Sequence, residues 1–163
     1  MDTRTKVKVK IGEEIKEYPI NTKLSEIAAE YQKEYSYDII LAFVNGKLRE
    51  LFKTVDKDCT VSFVTTNEDA GHKTYTRGMI LVLLKAFYAE FGKDNVKKVS
   101  VEYSLGNSLY FDYEGSLPLT IERIEAVKDR MNQLVNKDIP FLKRSIGTDD
   151  AVSLFAFYKM YDK

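Results

Sequence analysis

Residues 39–52 have the sequence IILAFVNGKLRELF, in which an apolar run is followed by Asn45-Gly46 and a second, alternating run. An Asn-Gly pair is the strongest short signal for a two-residue hairpin, because a type I′ turn needs positive φ at both central residues. The stretch therefore predicts two antiparallel strands, 39–44 and 48–52, joined at this pair.

Elements on both sides of this hairpin complete a small sheet. Residues 6–11 alternate lysine with valine or isoleucine, residues 15–20 return after a turn, and residues 60–65 form a last strand. Thr22 is a candidate N-cap for a helix whose apolar stripe runs to Tyr35. Four or five strands crossed by one helix in so short a stretch predict an α+β fold of the β-grasp, ubiquitin-like type.

Three lysines share one face of the first strand. Lys6, Lys8 and Lys10 alternate with its apolar residues. Lysine commonly blocks aggregation at exposed sheet edges, so we interpret this strand as an edge-type strand with a solvated face. Contact with nucleic acid is the alternative interpretation.

The second half predicts a helix, a hairpin and two further helices. Residues 75–91 are apolar on most sides, which predicts a deeply buried helix. Thr120 is a candidate N-cap, residues 140–144 are predicted as a short strand, and Thr148 begins the last helix.

The predicted hairpin is rich in aromatic residues. Simple alternation places Tyr103, Phe111 and Tyr113 on its inward face and Tyr110 on the opposite face. Tyr110 is therefore the better candidate for contact with a ligand, and the other three are expected in the core.

A polar segment divides the chain. Residues 67–73 are small, polar and without periodicity, which is typical of a linker. We therefore predict a first domain at 1–66 and a second domain at 74–163. The chain stops soon after an apolar helix, and we expect the second domain to be truncated at Lys163.

Composition excludes several classes of site. The 163 residues include 25 Lys+Arg and 25 Asp+Glu, which argues against a dedicated polyanion binder but not against a local basic patch. One cysteine and one histidine exclude an intrachain disulfide and a metal site with several such ligands. This cysteine usage favours a reducing, cytoplasmic location. No apolar run approaches the roughly 20 residues of a membrane span.

Neither His72 nor Cys59 predicts catalysis. His72 lies in the predicted linker, where a solvated side chain is far more expected than a catalytic base. Cys59 follows Asp58, whose negative charge would raise the pKa of the thiol rather than activate it. We assign no catalytic residue and no metal ligand.

The first half resembles the TGS domain, a small β-grasp module of threonyl-tRNA synthetases, certain GTPases and stringent-response enzymes. The resemblance is carried by LSEIA at 24–28, AFVNGKLREL at 42–51 and VSFVT at 61–65.

The second half resembles the editing-type domain that follows the TGS module in threonyl-tRNA synthetase and is shared with alanyl-tRNA synthetase. The shared features are the first helix, the hairpin with Gly106 and FDY at 111–113, the helix start at Leu119-Thr120, and SIGTDDA at 145–151. The two resemblances together cover nearly the whole chain.

The helix that carries the editing site departs from the synthetase pattern. That pattern begins His-Ser-x-Ala-His, with two imidazoles one turn apart, whereas this chain has Tyr75 and Met79 in those positions. His72 lies three residues too early to restore the pair. The hydrolysis of mischarged tRNA and the metal binding that depend on these imidazoles are therefore not expected here.

A TGS module followed by a degenerate editing-type domain also resembles the N-terminal extension of bacterial uridine kinase-like proteins. This resemblance implies a non-catalytic recognition or regulatory region that binds a nucleoside or nucleotide, RNA, or its own downstream kinase domain, and no membrane. ATP and Mg²⁺ would serve only that kinase domain, and this fragment would hold no cofactor. The candidate ligand-binding residues are Tyr75, Arg77, Met79 and Tyr110.

Two alternatives stay open. The chain is an N-terminal TGS and editing fragment of a threonyl-tRNA synthetase-like protein, or it is a free-standing interaction domain.

Overall fold

A computed structural model describes residues 4–106 and 108–157 and shows a mixed α+β architecture. The elements of the first half are β1 (Lys6–Ile11), β2 (Glu14–Pro19), β3 (Thr22–Lys23), α1 (Leu24–Tyr31), β4 (Ile39–Val44), β5 (Lys47–Glu50), β6 (Thr54–Val55) and β7 (Cys59–Thr65). The elements of the second half are α2 (Asp69–Phe91), β8 (Val96–Leu105), β9 (Ser108–Gly115), α3 (Ile121–Asn136) and α4 (Thr148–Phe157).

Five strands of the first half form one sheet in the order β2-β1-β7-β4-β5. β1 and β7 are parallel, and the other neighbours are antiparallel. The apolar residues of β1 and β7 pack with α1 in a core that includes Val9, Ile27 and Val61. Because β1 lies between β2 and β7, the interpretation of its lysines as edge residues is wrong.

The central hairpin forms at the predicted pair. Asn45 and Gly46 have φ angles of 49° and 75°, and β4 pairs with β5 across them. The second strand ends at Glu50 rather than at the predicted residue 52.

The predicted cap of α1 is wrong. Thr22 belongs to β3, and its hydroxyl donates a hydrogen bond to the Pro19 carbonyl at 2.8 Å instead of capping the helix. The helix begins at Leu24 and ends at Tyr31, before Tyr35. Tyr35 still packs at the edge of the core, with its ring 6.1 Å from that of Phe63.

Helix α2 begins earlier than the sequence predicts. It starts at Asp69, so residues 69–73 of the predicted linker are helical. The Lys73 ammonium group donates a hydrogen bond to the carboxylate of Asp69, one turn earlier, at 2.7 Å. Such an i,i+4 ion pair favours helix in this polar segment. The division into domains at 66 and 74 stays a prediction.

The start of α2 is tightly packed against the first half. A Cβ atom on Gly71 would lie 2.7 Å from the carbonyl carbon of Thr65 and closer still to its oxygen. Only a glycine allows the helix to approach the end of β7 at this distance.

Within the span 75–91, which the sequence predicts to be deeply buried, the buried residues of α2 lie only at its C-terminal end. Ala86, Phe87 and Phe91 are buried, whereas the side chain of Leu81 is 54% exposed. The aromatic residues of the β8–β9 hairpin cover only that end, with the rings of Phe87 and Tyr113 5.3 Å apart. The prediction of a deeply buried helix is therefore wrong for its first two-thirds.

A bulge changes the faces of the β8–β9 hairpin. Val101 pairs with Phe111 but Tyr103 pairs with Tyr110, so β8 advances by two residues where β9 advances by one. Such an extra residue reverses the alternation beyond it. Tyr103 consequently lies outward beside Tyr110, with the rings stacked at 4.8 Å, and its predicted core position is wrong.

The last part of the described chain contains two helices, and most of its side chains are exposed. Thr120 caps α3 as predicted by accepting from the Arg123 amide, and α4 begins at Thr148 as predicted. Residues 140–144 form no strand. The truncation expected at Lys163 falls outside the described residues.

Candidate functional site

The structure places two of the four candidate ligand-binding residues on one face of α2. Tyr75 and Met79 are four residues apart, so their side chains lie one above the other. Tyr75 is exposed and Met79 is half-buried. Arg77 is also exposed on this first part of the helix. Gly78 lies beside the Phe141 ring, so the segment between α3 and α4 frames this region.

The fourth candidate, Tyr110, lies at a different place. Its neighbour Phe111 contacts Phe87, which is twelve residues beyond Tyr75 and thus about 18 Å further along the helix. Tyr110 instead stacks on Tyr103 at the outward face of the hairpin. The structure therefore places Tyr75 and Met79 on one face of α2, Arg77 about 200° around the same helix, and Tyr110 at a separate surface.

The side chains at positions 75 and 79 lack the chemistry of the imidazoles that the resemblance would require. Neither a phenol nor a thioether has the ring nitrogens with which an imidazole binds a metal ion or accepts a proton from water. Within the described ranges 4–106 and 108–157, no group of three or more His, Cys, Asp or Glu side chains could hold a metal ion.

The two other potentially reactive side chains are those of His72 and Cys59. His72 lies in the first turn of α2, exposed, with its amide donating to the Glu68 carbonyl. Cys59 is buried in the core of the first half, and burial with the charges of Asp56 and Asp58 raises the pKa of its thiol. A raised pKa keeps this thiol protonated and unreactive near neutral pH.

Sequence reasoning missed a shallow concavity on the sheet face opposite α1. Its volume is about 320 Å³, and it is lined by Lys8, Lys10, Ile15, Asn45, Asp58, Cys59 and Thr60. The alternating lysines were visible in the sequence. The parallel pairing of β1 with β7, which brings Thr60 beside Lys10, joins residues fifty positions apart and has no local signal.

Among the described residues, no helix is both long and apolar enough to cross a membrane.

Comparison with known proteins gives one consistent result. No family model matches the chain. It is 26% identical over 142 residues to a threonine–tRNA ligase of Symbiobacterium thermophilum, covering 87% of this chain and 21% of the ligase. For the enzyme of Desulforamulus reducens the identity is 24% over 150 residues, covering 92% and 23%. For that of Thermotoga maritima it is 29% over 153 residues, covering 93% and 23%.

These relatives correct the interpretation as part of a uridine kinase-like protein. They are threonine–tRNA ligases, and the similarity extends through both halves of the chain. The hypothesis of a regulatory extension for a uridine kinase is therefore wrong. The expectation of a downstream kinase domain that uses ATP and Mg²⁺ rested on that hypothesis alone. The chain is similar over most of its own length to threonine–tRNA ligases, and it spans about a fifth of the length of these curated relatives.

Proposed function

We propose that the chain is the N-terminal TGS and editing-type region of a threonyl-tRNA synthetase-like protein, and that it contacts threonine tRNA without hydrolysing it. The observation that carries the proposal is similarity to threonine–tRNA ligases over 87–93% of the chain, in both halves. The first half then has the β-grasp fold, and its five-stranded sheet with α1 on one face supports that assignment.

The side chains on α2 support contact rather than hydrolysis. Tyr75 and Met79 replace the histidine pair of the family pattern and offer no base for activating water. Tyr75 is exposed and offers a ring and a hydroxyl, and exposed Arg77 offers a cation with five donors. Aromatic and arginine side chains of this kind stack on unpaired bases and bind phosphates.

The experiment compares binding of threonine tRNA with binding of a second tRNA of equal length. The full chain is titrated into each labelled tRNA at one fixed salt concentration, because phosphate contacts make affinity depend on salt. We expect tighter binding of threonine tRNA and no acceleration of the deacylation of mischarged threonine tRNA. Equal affinity for both tRNAs, or enzyme-dependent deacylation, would show the proposal to be wrong.

A matched pair of variants tests the α2 surface. Arg77→Ala and Lys85→Ala each remove one exposed cation from the same helix, eight residues apart. We expect Arg77→Ala to weaken tRNA binding about tenfold, as the loss of a charged hydrogen bond does, with an unchanged melting temperature. Lys85→Ala should leave the affinity nearly unchanged. Equal effects of the two substitutions would remove Arg77 from the proposed contact.

A further inference from the structure

The sheet of the first half has a second face that α1 does not cover. Lys6, Lys8 and Lys10 are exposed there, while the residues between them are buried on the α1 side. β1 lies inside the sheet, so protection of a free edge does not explain lysine at these positions. Alternate residues on a strand are about 6.6–6.8 Å apart, so the Cα atoms of the three lysines form a regular row.

The charges on this face do not cancel. Lys6 lies 3.9 Å from Glu17, and Arg4 lies 3.5 Å from Asp58. Asp58 also accepts a hydrogen bond from the backbone amide of Lys8 at 2.9 Å, so its carboxylate is already occupied. Within residues 4–106 and 108–157, the side chains of Lys8 and Lys10 have no ion pair. Lys10 therefore has no acidic residue opposite it on either neighbouring strand, and Lys8, which lies opposite Glu17 on β2, makes no ion pair with it.

Neutral donors and an aromatic ring continue this face across the sheet. Lys10 pairs with exposed Thr60 on β7. The Asn45 side-chain oxygen accepts a hydrogen bond from the Thr60 backbone amide at 2.8 Å. The NH₂ group of the Asn45 side chain can then donate to a ligand. Further along, Phe43 is 38% exposed and lies opposite Ser62, whose neighbours on the strand point into the core. Cations, hydroxyl groups and an exposed ring thus share one surface.

We propose that this surface, formed by Lys8, Lys10, Thr60 and Phe43, binds the backbone of a single-stranded RNA segment. Lys8 and Lys10 contact phosphates, and Phe43 stacks on a base. Grooves that bind single strands combine cations along the backbone with aromatic rings for the bases, which is the combination found here. The proposal rests on the proposed function, because that function supplies RNA as the polyanion.

The test uses the full chain and a labelled single-stranded RNA of about 12 nucleotides and mixed sequence, a length within the usual site sizes. Binding is followed by fluorescence anisotropy between about 50 and 200 mM salt. Each lysine–phosphate contact on a single strand contributes about 0.7 to the slope of log affinity against log salt. Lys8→Gln with Lys10→Gln should lower the slope by about 1.4, which corresponds to about 25-fold weaker binding at 0.1 M salt.

The control removes the same charge from the other side of the sheet. Lys23→Gln with Lys33→Gln changes two exposed lysines at the two ends of α1. This control should keep both affinity and slope. Phe43→Leu, which keeps an apolar side chain, should weaken binding about 5- to 100-fold without changing the slope. Melting temperatures of all variants establish that they are folded.

Three results would overturn the inference. They are absence of RNA binding by the unaltered chain, an equal loss of slope in the control variant, and displacement of the RNA by an equimolar polyglutamate peptide. The last result would assign the surface to an acidic protein. The proposed function fails separately: binding of mixed-sequence RNA through Lys8 and Lys10 without preference for threonine tRNA keeps this inference and refutes that function. Preference for threonine tRNA, together with unchanged affinity of the double variant for the single-stranded RNA, does the reverse.

Discussion

Replacement of Gly71 by alanine should destabilise the protein although it adds a better helix former. Gly71 is the third residue of α2, and its missing side chain faces the carbonyl group of Thr65 at the end of β7. An added Cβ would meet backbone atoms, which cannot move aside by changing a rotamer, and the Ile40 side chain at 3.1 Å. Overpacking of this kind costs about 1–3 kcal/mol. Alanine returns at most about 1 kcal/mol of helix propensity, so we expect a net loss of up to about 2 kcal/mol.

Gly78→Ala is the matched control. It lies in the same helix, and a Cβ atom there would be 3.9 Å from the Phe141 ring, an ordinary van der Waals contact. The gain in helix propensity then dominates, and we expect stabilisation by about 0.5–1 kcal/mol. The two glycine-to-alanine substitutions should therefore change stability in opposite directions.

Urea unfolding followed by far-ultraviolet circular dichroism measures both changes. With a slope of about 2 kcal/mol per molar urea, the midpoint should fall by up to about 1 M for Gly71→Ala and rise by about 0.25–0.5 M for Gly78→Ala. Equal midpoint shifts for both variants would refute the reasoning, because they would show that the close approach to Thr65 plays no part in stability.

Three other expectations concern the cores and their ionisable groups. Phe87→Ala should lower the free energy of unfolding by about 3–5 kcal/mol because Phe87 is fully buried, whereas Leu81→Ala on the exposed face should change it by less than about 0.5 kcal/mol, both measured by urea unfolding. The Cys59 thiol should react slowly with a disulfide reagent at pH 8 in the folded protein and rapidly in urea; fast reaction without urea would contradict its burial and raised pKa. The Tyr31 hydroxyl holds the pKa of Glu14 below its ordinary value of 4.5, so this stabilisation is present above that pH and is lost as pH falls through the folded pKa. Tyr31→Phe should therefore reduce the fall in melting temperature on acidification below pH 4.5, and an unchanged fall would exclude this pair as a cause.

Local signals predicted the parts of the fold that local chemistry determines. Asn45-Gly46 predicted the central hairpin because positive φ angles at both residues need such a pair. The alternation of Val7 and Val9 with lysine predicted which side of β1 is buried. What failed was set by distant residues. The place of β1 inside the sheet depends on its pairing with β7. The outward position of Tyr103 depends on a bulge that no local sequence signal predicts.

The sequence likewise predicts some features of the candidate site and not others. The replacement of both histidines by Tyr75 and Met79 is visible in the sequence, and the structure shows these residues on one helix face. The separation of Tyr110 from them depends on where the hairpin packs along α2, which the sequence does not encode locally. The sequence alone shows Lys8 and Lys10 on one face of β1, whereas the position of that strand inside the sheet follows only from the sheet order.

The proposed RNA surface and helix α2 lie on the same side of the sheet. Leu41 and Val64 pair with each other, and by strand alternation their side chains lie on the sheet face opposite α1. Both are nevertheless buried. Glu50, which pairs with Leu41, accepts a hydrogen bond from the Lys143 ammonium group. Lys143 lies in the segment that also carries Phe141, which contacts α2 near Gly78. The second half therefore covers one end of the sheet face whose other end carries the lysine row. Because Gly71 sets how closely α2 approaches the sheet, it also sets the distance between the two surfaces, and a single RNA that touches both would depend on that junction.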